Sequence, residues 1–433
     1  MAPETAATPP RRKFLFVSYD GITTDLAWTV AREGHDVRFF MESESYKKVG
    51  EGFMQLVSDW KKHVDWADVI IFDHIGKGQI ASELRKKGKL VIGGTPYADR
   101  LEHDRSFGQE ELKRNDVRII PYQDFTSFDE AIEYVKQNPS YYVLKPSGAA
   151  QNLKQLLYVG KEEDGSDVIR IMKAYQKTWA DFIDVFQLQK RVTGVEVAVS
   201  AFFNGKKFLT PVNVNFEHKK LFPGELGVST GEMGTSCFWG KSPIFEQTLV
   251  KMEPILAEEG YVGPIDINCI VNNNGIYPLE FTCRFGYPMN CLMQEGITEP
   301  MGEFLWKLVN GEDFIIRTKR GYQVCVMVVV PPFPYSDPKT FESFSEDSVV
   351  VFKKQQLDGI HIGDLQQENG EWLITGEDGT ALIVSGSGST MREAQKQAYG
   401  RISNIIISNM YYRTDIGDRW VEDSDKLRAW NYL

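Results

Sequence analysis

The segment from residue 266 to residue 286 concentrates the side chains best suited to chemistry. It reads Asp266-Ile267-Asn268, then a turn at 272–275, then Pro278-Leu279-Glu280-Phe281-Thr282-Cys283-Arg284-Phe285-Gly286. On paired strands alternate residues share a face, so Asp266 and Asn268 are expected beside Glu280 and Thr282. Hard oxygen donors grouped in this way suit Mg²⁺ (or Mn²⁺), which takes one or two carboxylates from the protein and completes its shell with phosphate oxygens and water. Arg284 follows two residues further along that face, spaced to meet a phosphate bidentately. The same residues also fit a solvated hairpin carrying an Arg–Glu surface pair, and the segment alone does not choose between the two.

Two other places offer chemistry. Asp73-His74, at the end of an apolar run, reads as an acid/base pair or as a structural contact. Cys283, beside Arg284, reads as an activated thiol or as a small core residue.

The elements that must hold these groups follow from periodicity. An apolar run at Lys13 to Ser18 and further strands at Asp36 to Met41, Asp68 to Phe72 and Lys89 to Ile92 alternate with helical spacing at Leu26 to Ala31 and Gln79 to Lys87. Strands alternating with helices predict an open parallel sheet with ligands at its carboxyl ends. Beyond Arg100 the pattern changes: a helix through Lys113, a strand near Ile120, a helix Phe128 to Lys136 and a strand Tyr141 to Lys145. Val195 to Phe203 and Lys207 to Val214 predict a hairpin across Asn204-Gly205. A polar loop, Asn215 to Gly234, and a helix, Ile244 to Glu258, precede the chemical segment. Short strands and a last helix, Met391 to Ile406, make up the rest.

Bulk properties narrow the field. At 433 residues the chain exceeds what one hydrophobic core usually organises. Its net charge of −11 argues against a nucleic-acid surface. The longest apolar run, Val324 to Val330, falls well short of the roughly 20 residues a membrane span needs, and is expected to be a buried strand. The five cysteines form no CxxC pair, which fits a reducing cytoplasm rather than a disulfide framework or a zinc cluster. Residues 1–12 begin with an Ala/Thr/Pro-rich stretch and are expected to form a disordered tail.

Five strings, taken in order, carry a resemblance. They are Gly194-Val195-Glu196, Glu217-His218-Lys219-Lys220, Ser229-Thr230-Gly231-Glu232-Met233-Gly234, Leu279 through Gly286, and Tyr412-Arg413-Thr414-Asp415-Ile416-Gly417. They match GxE, DHKR, TGGMG, EFNxRFGDPE and YRxDIG of the phosphoribosylamine-glycine ligase (glycinamide ribonucleotide synthetase) family, in the same order and at similar separations. Over residues 13–420 the chain resembles a divergent member of that branch of the ATP-grasp superfamily.

The resemblance implies an α/β and α+β chain: an N-terminal open parallel sheet domain (13–99), a central two-lobed ATP-grasp domain (100–318, lid lobe at about 121–188) and a small C-terminal α+β domain (319–433). It implies ATP between the lobes, with Lys145 and Lys154 on the phosphates and Arg105 where the family has a lysine. Gln189 would sit at the adenine edge and Glu196 on the ribose hydroxyls. Glu280, with Asp266, Asn268 and Thr282, would hold Mg²⁺ or Mn²⁺. Arg284, Lys219 and Lys220 would stabilise the transferring charge. Gly21, Thr23, Lys77, His218, Gly231, Met233 and Gly234 would face the substrates.

The implied reaction is ATP-dependent joining of a small carboxylate, an amino acid such as glycine, to an amine through an acyl phosphate. Electrostatic stabilisation would serve it, with no nucleophilic Ser or Cys required. Several departures bear on the substrate. Thr282 replaces the family's asparagine, Tyr287-Pro288-Met289-Asn290 replaces Asp-Pro-Glu, and the loop after Lys145 is poor in glycine. Where the family has Gly-Gly-Arg-Glu-His, this chain has Ser18-Tyr19-Asp20-Gly21-Ile22-Thr23-Thr24-Asp25, whose carboxylates would repel a sugar phosphate. The acceptor is therefore left open between phosphoribosylamine and a different amine, cationic or neutral. The alternatives are a catalytically reduced ATP-grasp protein that binds nucleotide without turnover, and a dinucleotide oxidoreductase, for which the first turn lacks G-x-G-x-x-G. Expected partners are small molecules, with no nucleic acid and no membrane, in a cytoplasmic monomer or weak homodimer.

Overall fold

The computed structural model describes residues 10–147, 150 and 156–433. Strands Lys13–Ser18, Asp36–Met41, Val69–Phe72 and Leu90–Ile92 pair in parallel, with Lys13–Ser18 between Asp36–Met41 and Val69–Phe72. This is the open parallel sheet expected. Both faces of its inner strands are covered, which is why Lys13–Ser18 and Val69–Phe72 read as apolar runs, whereas the edge strand Asp36–Met41 alternates. Phe14, Phe16, Val69 and Ile71 enter one core cluster, whereas Leu15, Val17, Ile70 and Phe72 enter another.

A second sheet, antiparallel, runs Tyr122–Phe125, Phe186–Lys190, Tyr142–Pro146, Tyr158–Val159. The helices Phe128–Gln137 and Ser166–Thr178 pack on it, with Leu156 and Ile183 completing the core. Strand alternation divides the labour: Leu144 and Leu188 are buried in that core, while Val143, Lys145 and Gln189 point the other way.

The largest sheet has eight strands, in the order 275–282, 262–272, 195–204, 212–217, 234–240, 322–329, 380–388, 360–362. The apolar run near Val324 is the buried strand Tyr322–Val329, paired with Gly234–Gly240. Chain from both sides of residue 319 thus shares one ladder. Gly234 sits where the ladder is tight: its φ is +151°, and a Cβ there would lie 2.5 Å from the Cys325 carbonyl oxygen.

Four local expectations are corrected. The helix expected from Arg100 through Lys113 is two, Pro96–His103 and Arg105–Arg114, because Asp104 leaves the helical region and its Oδ1 accepts from the Phe107 amide at 3.0 Å. The helix expected over Ile244 to Glu258 breaks at Thr248 and restarts where Pro254 fits a first turn. The polar loop from Asn215 to Gly234 contains the hairpin Lys220–Phe222 with Leu226–Ser229. The helix beginning at Met391 stops at Ile402, since Ile405–Ile406 pairs with the strand Val349–Phe352. Among the described residues, no helix is long and apolar enough to cross a membrane.

Candidate active site

Three cavities lie in series where the sheets meet. The largest, about 340 Å³, has apolar walls from Ile120, Val143, Leu157, Val159, Ile270 and Leu279. Its polar end carries Arg105, Lys145, Gln189, Glu196, Lys219, Lys220 and Glu280. The middle cavity, about 190 Å³, shares Lys219 and Glu280 with it and adds Glu217, Asp266, Asn268, Thr282 and Arg284. The third, about 260 Å³, opens beside Asp20 and Gly21 at the carboxyl end of strand Lys13–Ser18 and shares Glu232 and Tyr287 with the middle one. Gly231 lies on the wall of all three.

The middle cavity realises the cross-strand grouping. Asp266 stands opposite Thr282, and Asn268 opposite Glu280. Glu280 accepts a 3.3 Å ion pair from Arg105. Lys219 bridges Glu196 at 2.9 Å and Glu217 at 3.1 Å, and Asn268 Nδ2 donates to Glu217 at 2.9 Å. Asp266 accepts from Ser200 and from Asn215 Nδ2. Arg284 is aimed by Glu102, at 3.0 Å from its Nε. The cavity thus gathers four carboxyl groups against two basic side chains, and two buried oxygens, Asn268 Oδ1 and Glu232 Oε1, have no partner. Hard oxygens in surplus, with unpartnered atoms among them, fit a divalent cation of the Mg²⁺ type.

Electrostatics differ sharply between the lysines. Burial pulls the Lys145 ammonium down to about 7, Arg105 pushes the same way and Glu280 opposes them. Burial also works against the Lys219 ammonium, but Glu217, Glu196 and Glu280 lift it well above the ordinary lysine value. Lys219 in turn holds the Glu196 carboxyl below the usual range against the effect of burial. Burial, followed by repulsion from Glu217, raises both the Asp266 and the Glu232 carboxyls.

Not every residue expected at a substrate reaches these walls. Thr23 is fully buried and donates its hydroxyl to Asp73 at 2.7 Å. Lys77 is held by Glu42 at 2.6 Å. Met233 and Gly234 are packed in the interior. His218 is buried behind the cavities, where desolvation, reinforced by Arg419 and Arg413, pulls its imidazole down to about 3 and keeps it neutral. Lys154 lies outside the described residues. Asp73 accepts from the amide and hydroxyl of Thr23 in the first turn, and Cys283 is a buried thiol that desolvation raises well above its ordinary value.

Several wall residues escaped sequence reasoning. Glu217 and Glu232 stood inside quoted strings, and Glu232 occupies a position where TGGMG has glycine, a signal that was present in the string itself. Glu102, which holds Arg284 without lining the three cavities, and the wall residues Asp364 and Asp378 carried no local pattern. The last two reach the third cavity from the C-terminal region. That region also braces the site: Arg413, with no exposed side-chain surface, donates to Asp415, Glu225 and the Lys220 carbonyl, and Arg419 donates to the carbonyls of Glu217 and Glu196.

Comparison with known proteins agrees. The family model of the phosphoribosylglycinamide synthetase ATP-grasp (A) domain matches residues 103–290, and that of the C domain of the same enzyme matches residues 323–419. A phosphoribosylamine-glycine ligase from Clostridium acetobutylicum is 26% identical over 359 residues, covering 78% of this chain and 81% of the relative. The crystal structure of a phosphoribosylamine-glycine ligase from Thermotoga maritima superposes with a TM-score of 0.72 at 18% identity, covering 93% of this chain and all of that one. A biotin carboxylase–β,γ-ATP complex from Campylobacter jejuni gives 0.63 at 14% identity, covering 98% of each chain. With matched models on both sides of residue 319 and relatives that span most of its length, the chain belongs to the phosphoribosylamine-glycine ligase family of ATP-grasp, C–N bond-forming ligases.

Proposed function

We propose that the protein activates an amino acid carboxylate with ATP and transfers the acyl group to an amine, dividing the work among the three cavities. The observation that carries this reading is the shared wall: Lys219 and Glu280 face the nucleotide-sized cavity on one side and the oxygen-rich cavity on the other.

The apolar walls of the large cavity suit a stacked purine. Gln189 lies at its edge, Glu196 suits ribose hydroxyls, and Lys145, Arg105 and Lys220 suit phosphates. Glu280, Asp266 and Asn268, with Thr282, are the residues that would hold Mg²⁺ or Mn²⁺, which when bound neutralises phosphate charge. Arg284 and Lys219 line the middle cavity, and in this reading the carboxylate oxygen meets the γ-phosphorus beside them. Their fixed positive charge stabilises the transferring phosphoryl oxygens without a covalent enzyme intermediate. The amine nitrogen then attacks the acyl carbon, phosphate departs, and the amide remains. The five cysteines are all free and buried, which fits the cytoplasmic setting expected. The matched relatives are named as ligases, so they do not favour the binding-only alternative.

The test is turnover of purified protein with Mg-ATP against a panel of amino acids and amines. ADP and phosphate should appear in step with amide when both acceptors are present. Release of AMP, or no turnover with any pair, would sink the proposal.

A further inference from the structure

The third cavity is built for positive charge. Asp20, Asp364, Asp378 and Glu232 line it, and its described lining residues include no lysine and no arginine. Asp364 and Glu232 are only 6% and 8% exposed, and Asp364 Oδ2 and Glu232 Oε1 have no hydrogen-bond partner. Asp20 Oδ1 is likewise buried and unpartnered. An ionised carboxylate buried without a partner is strongly disfavoured, so oxygens left this way on a cavity wall mark a place where a ligand supplies the missing charge and donors.

Nearby basic side chains do not supply it. His74 and Arg284 act on Asp20 from a distance, but the His74 ring packs at a tilt against Tyr19 and Arg284 is engaged by Glu102. Burial raises the Asp364 carboxyl well above its ordinary range, and Asp378 and Asp20 push it further. Nor are these carboxylates gathered tightly enough for an ion. Among the described residues, the group whose ligand atoms lie within 4.8 Å of one another is Asp25, Cys291 and His361, which is a separate, hydrogen-bonded core network.

We infer that this cavity is the acceptor pocket and that it takes a small amine bearing a second cationic group, a diamine in the simplest case, rather than a phosphorylated one. The inference rests on the ligase reading for its chemistry. The cavity, at about 260 Å³, lies just below the roughly 300–1,000 Å³ usual for ligand sites, which limits the substrate to a few carbons. Glu232 and Tyr287 stand on both its wall and that of the middle cavity. One amino group of the diamine therefore reaches the acyl carbon while the other is held by Asp364, Asp378 and Asp20. The reaction balances as follows: the carboxylate and ATP give acyl phosphate and ADP, and the ammonium loses a proton to solvent. Its nitrogen lone pair then forms the C–N bond as the C–O bond to phosphate breaks, and the second nitrogen proton is lost with the departing phosphate.

Two measurements separate this inference from the reading beneath it. Hydroxylamine traps an acyl phosphate as a hydroxamate whatever the acceptor pocket prefers, so it reports activation alone. Putrescine, butylamine and phosphoribosylamine are then compared as acceptors in the intact chain. Putrescine should be used at least about 10-fold better than the other two, and Asp378→Asn, at a half-buried position, should raise the KM for putrescine about 10-fold more than that for hydroxylamine, with Asp364→Asn doing the same. Hydroxamate formation with phosphoribosylamine or butylamine preferred, or with both variants shifting the two acceptors equally, overturns the inference and leaves the ligase standing. If no amino acid gives hydroxamate, the ligase reading falls and calorimetry with putrescine decides. Binding that Asp378→Asn weakens upholds a cationic site, and absence of binding overturns it.

Discussion

Replacing Lys145 with methionine should strengthen the protein and weaken nucleotide binding at once. The side chain is 6% exposed at the end of strand Tyr142–Pro146, and burial with Arg105 nearby brings its ammonium from an ordinary 10.5 to about 7. A base whose folded value is lowered carries its full penalty below the folded value. The penalty is relieved as pH rises from about 7 towards the unfolded value. At about pH 7.5 the difference amounts to roughly 4 kcal/mol, taking about 1.4 kcal/mol for each factor of ten. Lys145→Met keeps the stem and removes the charge, so unfolding by urea without ligand should show a gain of a few kcal/mol at about pH 7.5, shrinking towards pH 10. The same change deletes a charged hydrogen bond to phosphate worth about 1.5–3 kcal/mol, raising the Kd for Mg-ATP by roughly 10-fold to 150-fold. In the native protein the arriving phosphates recharge the lysine, so calorimetry in two buffers of different ionisation enthalpy should record proton uptake above pH 7. A variant that is less stable than wild type, or that binds Mg-ATP with unchanged affinity, would refute the reasoning.

Three further outcomes follow from the same geometry. Glu280→Gln removes a carboxylate from the wall shared by two cavities, and ADP formation should fall about 100-fold or more while the fold persists; a loss under threefold would remove Glu280 from the reaction. Arg413→Met leaves Asp415 and the Lys220 carbonyl without their buried partner, so urea unfolding should register a loss of about 3–5 kcal/mol, with earlier proteolysis between Lys220 and Ser229. His218, already neutral, should contribute no titration to rate profiles between about pH 5 and pH 8, and His218→Gln should leave the profile's shape intact.

Much of this arrangement was legible because it depends on period and pairing. The strands Lys13–Ser18 and Val69–Phe72 read as apolar runs because a parallel sheet buries both faces, and Asp266, Asn268, Glu280 and Thr282 met across a ladder whose side-chain period is two. What escaped was set by tertiary context. Strand Leu226–Ser229 is exposed throughout and shows no alternation, since the buried Arg413, two hundred residues on in sequence, holds the hairpin in place. Asp364 and Asp378 acquire meaning only where the C-terminal strands bring them to the first turn of the chain. Glu232 was visible as a carboxylate among glycines, but its burial and its place between two cavities required coordinates.

The ladder that joins Gly234–Gly240 to Tyr322–Val329 has a practical consequence for anyone dividing the molecule. Cutting the chain near residue 319 would take one of its two neighbours from each of these strands at a stroke, and the raw edges would invite self-association. Supplied together, however, the two fragments carry matching main-chain donors and acceptors from the Gly234–Val326 pair to the Phe238–Tyr322 pair. Fragment complementation at this seam would regenerate the third cavity, whose wall combines Asp20 and Glu232 from one fragment with Asp364 and Asp378 from the other, turning reassembly into a readout of ligand binding there.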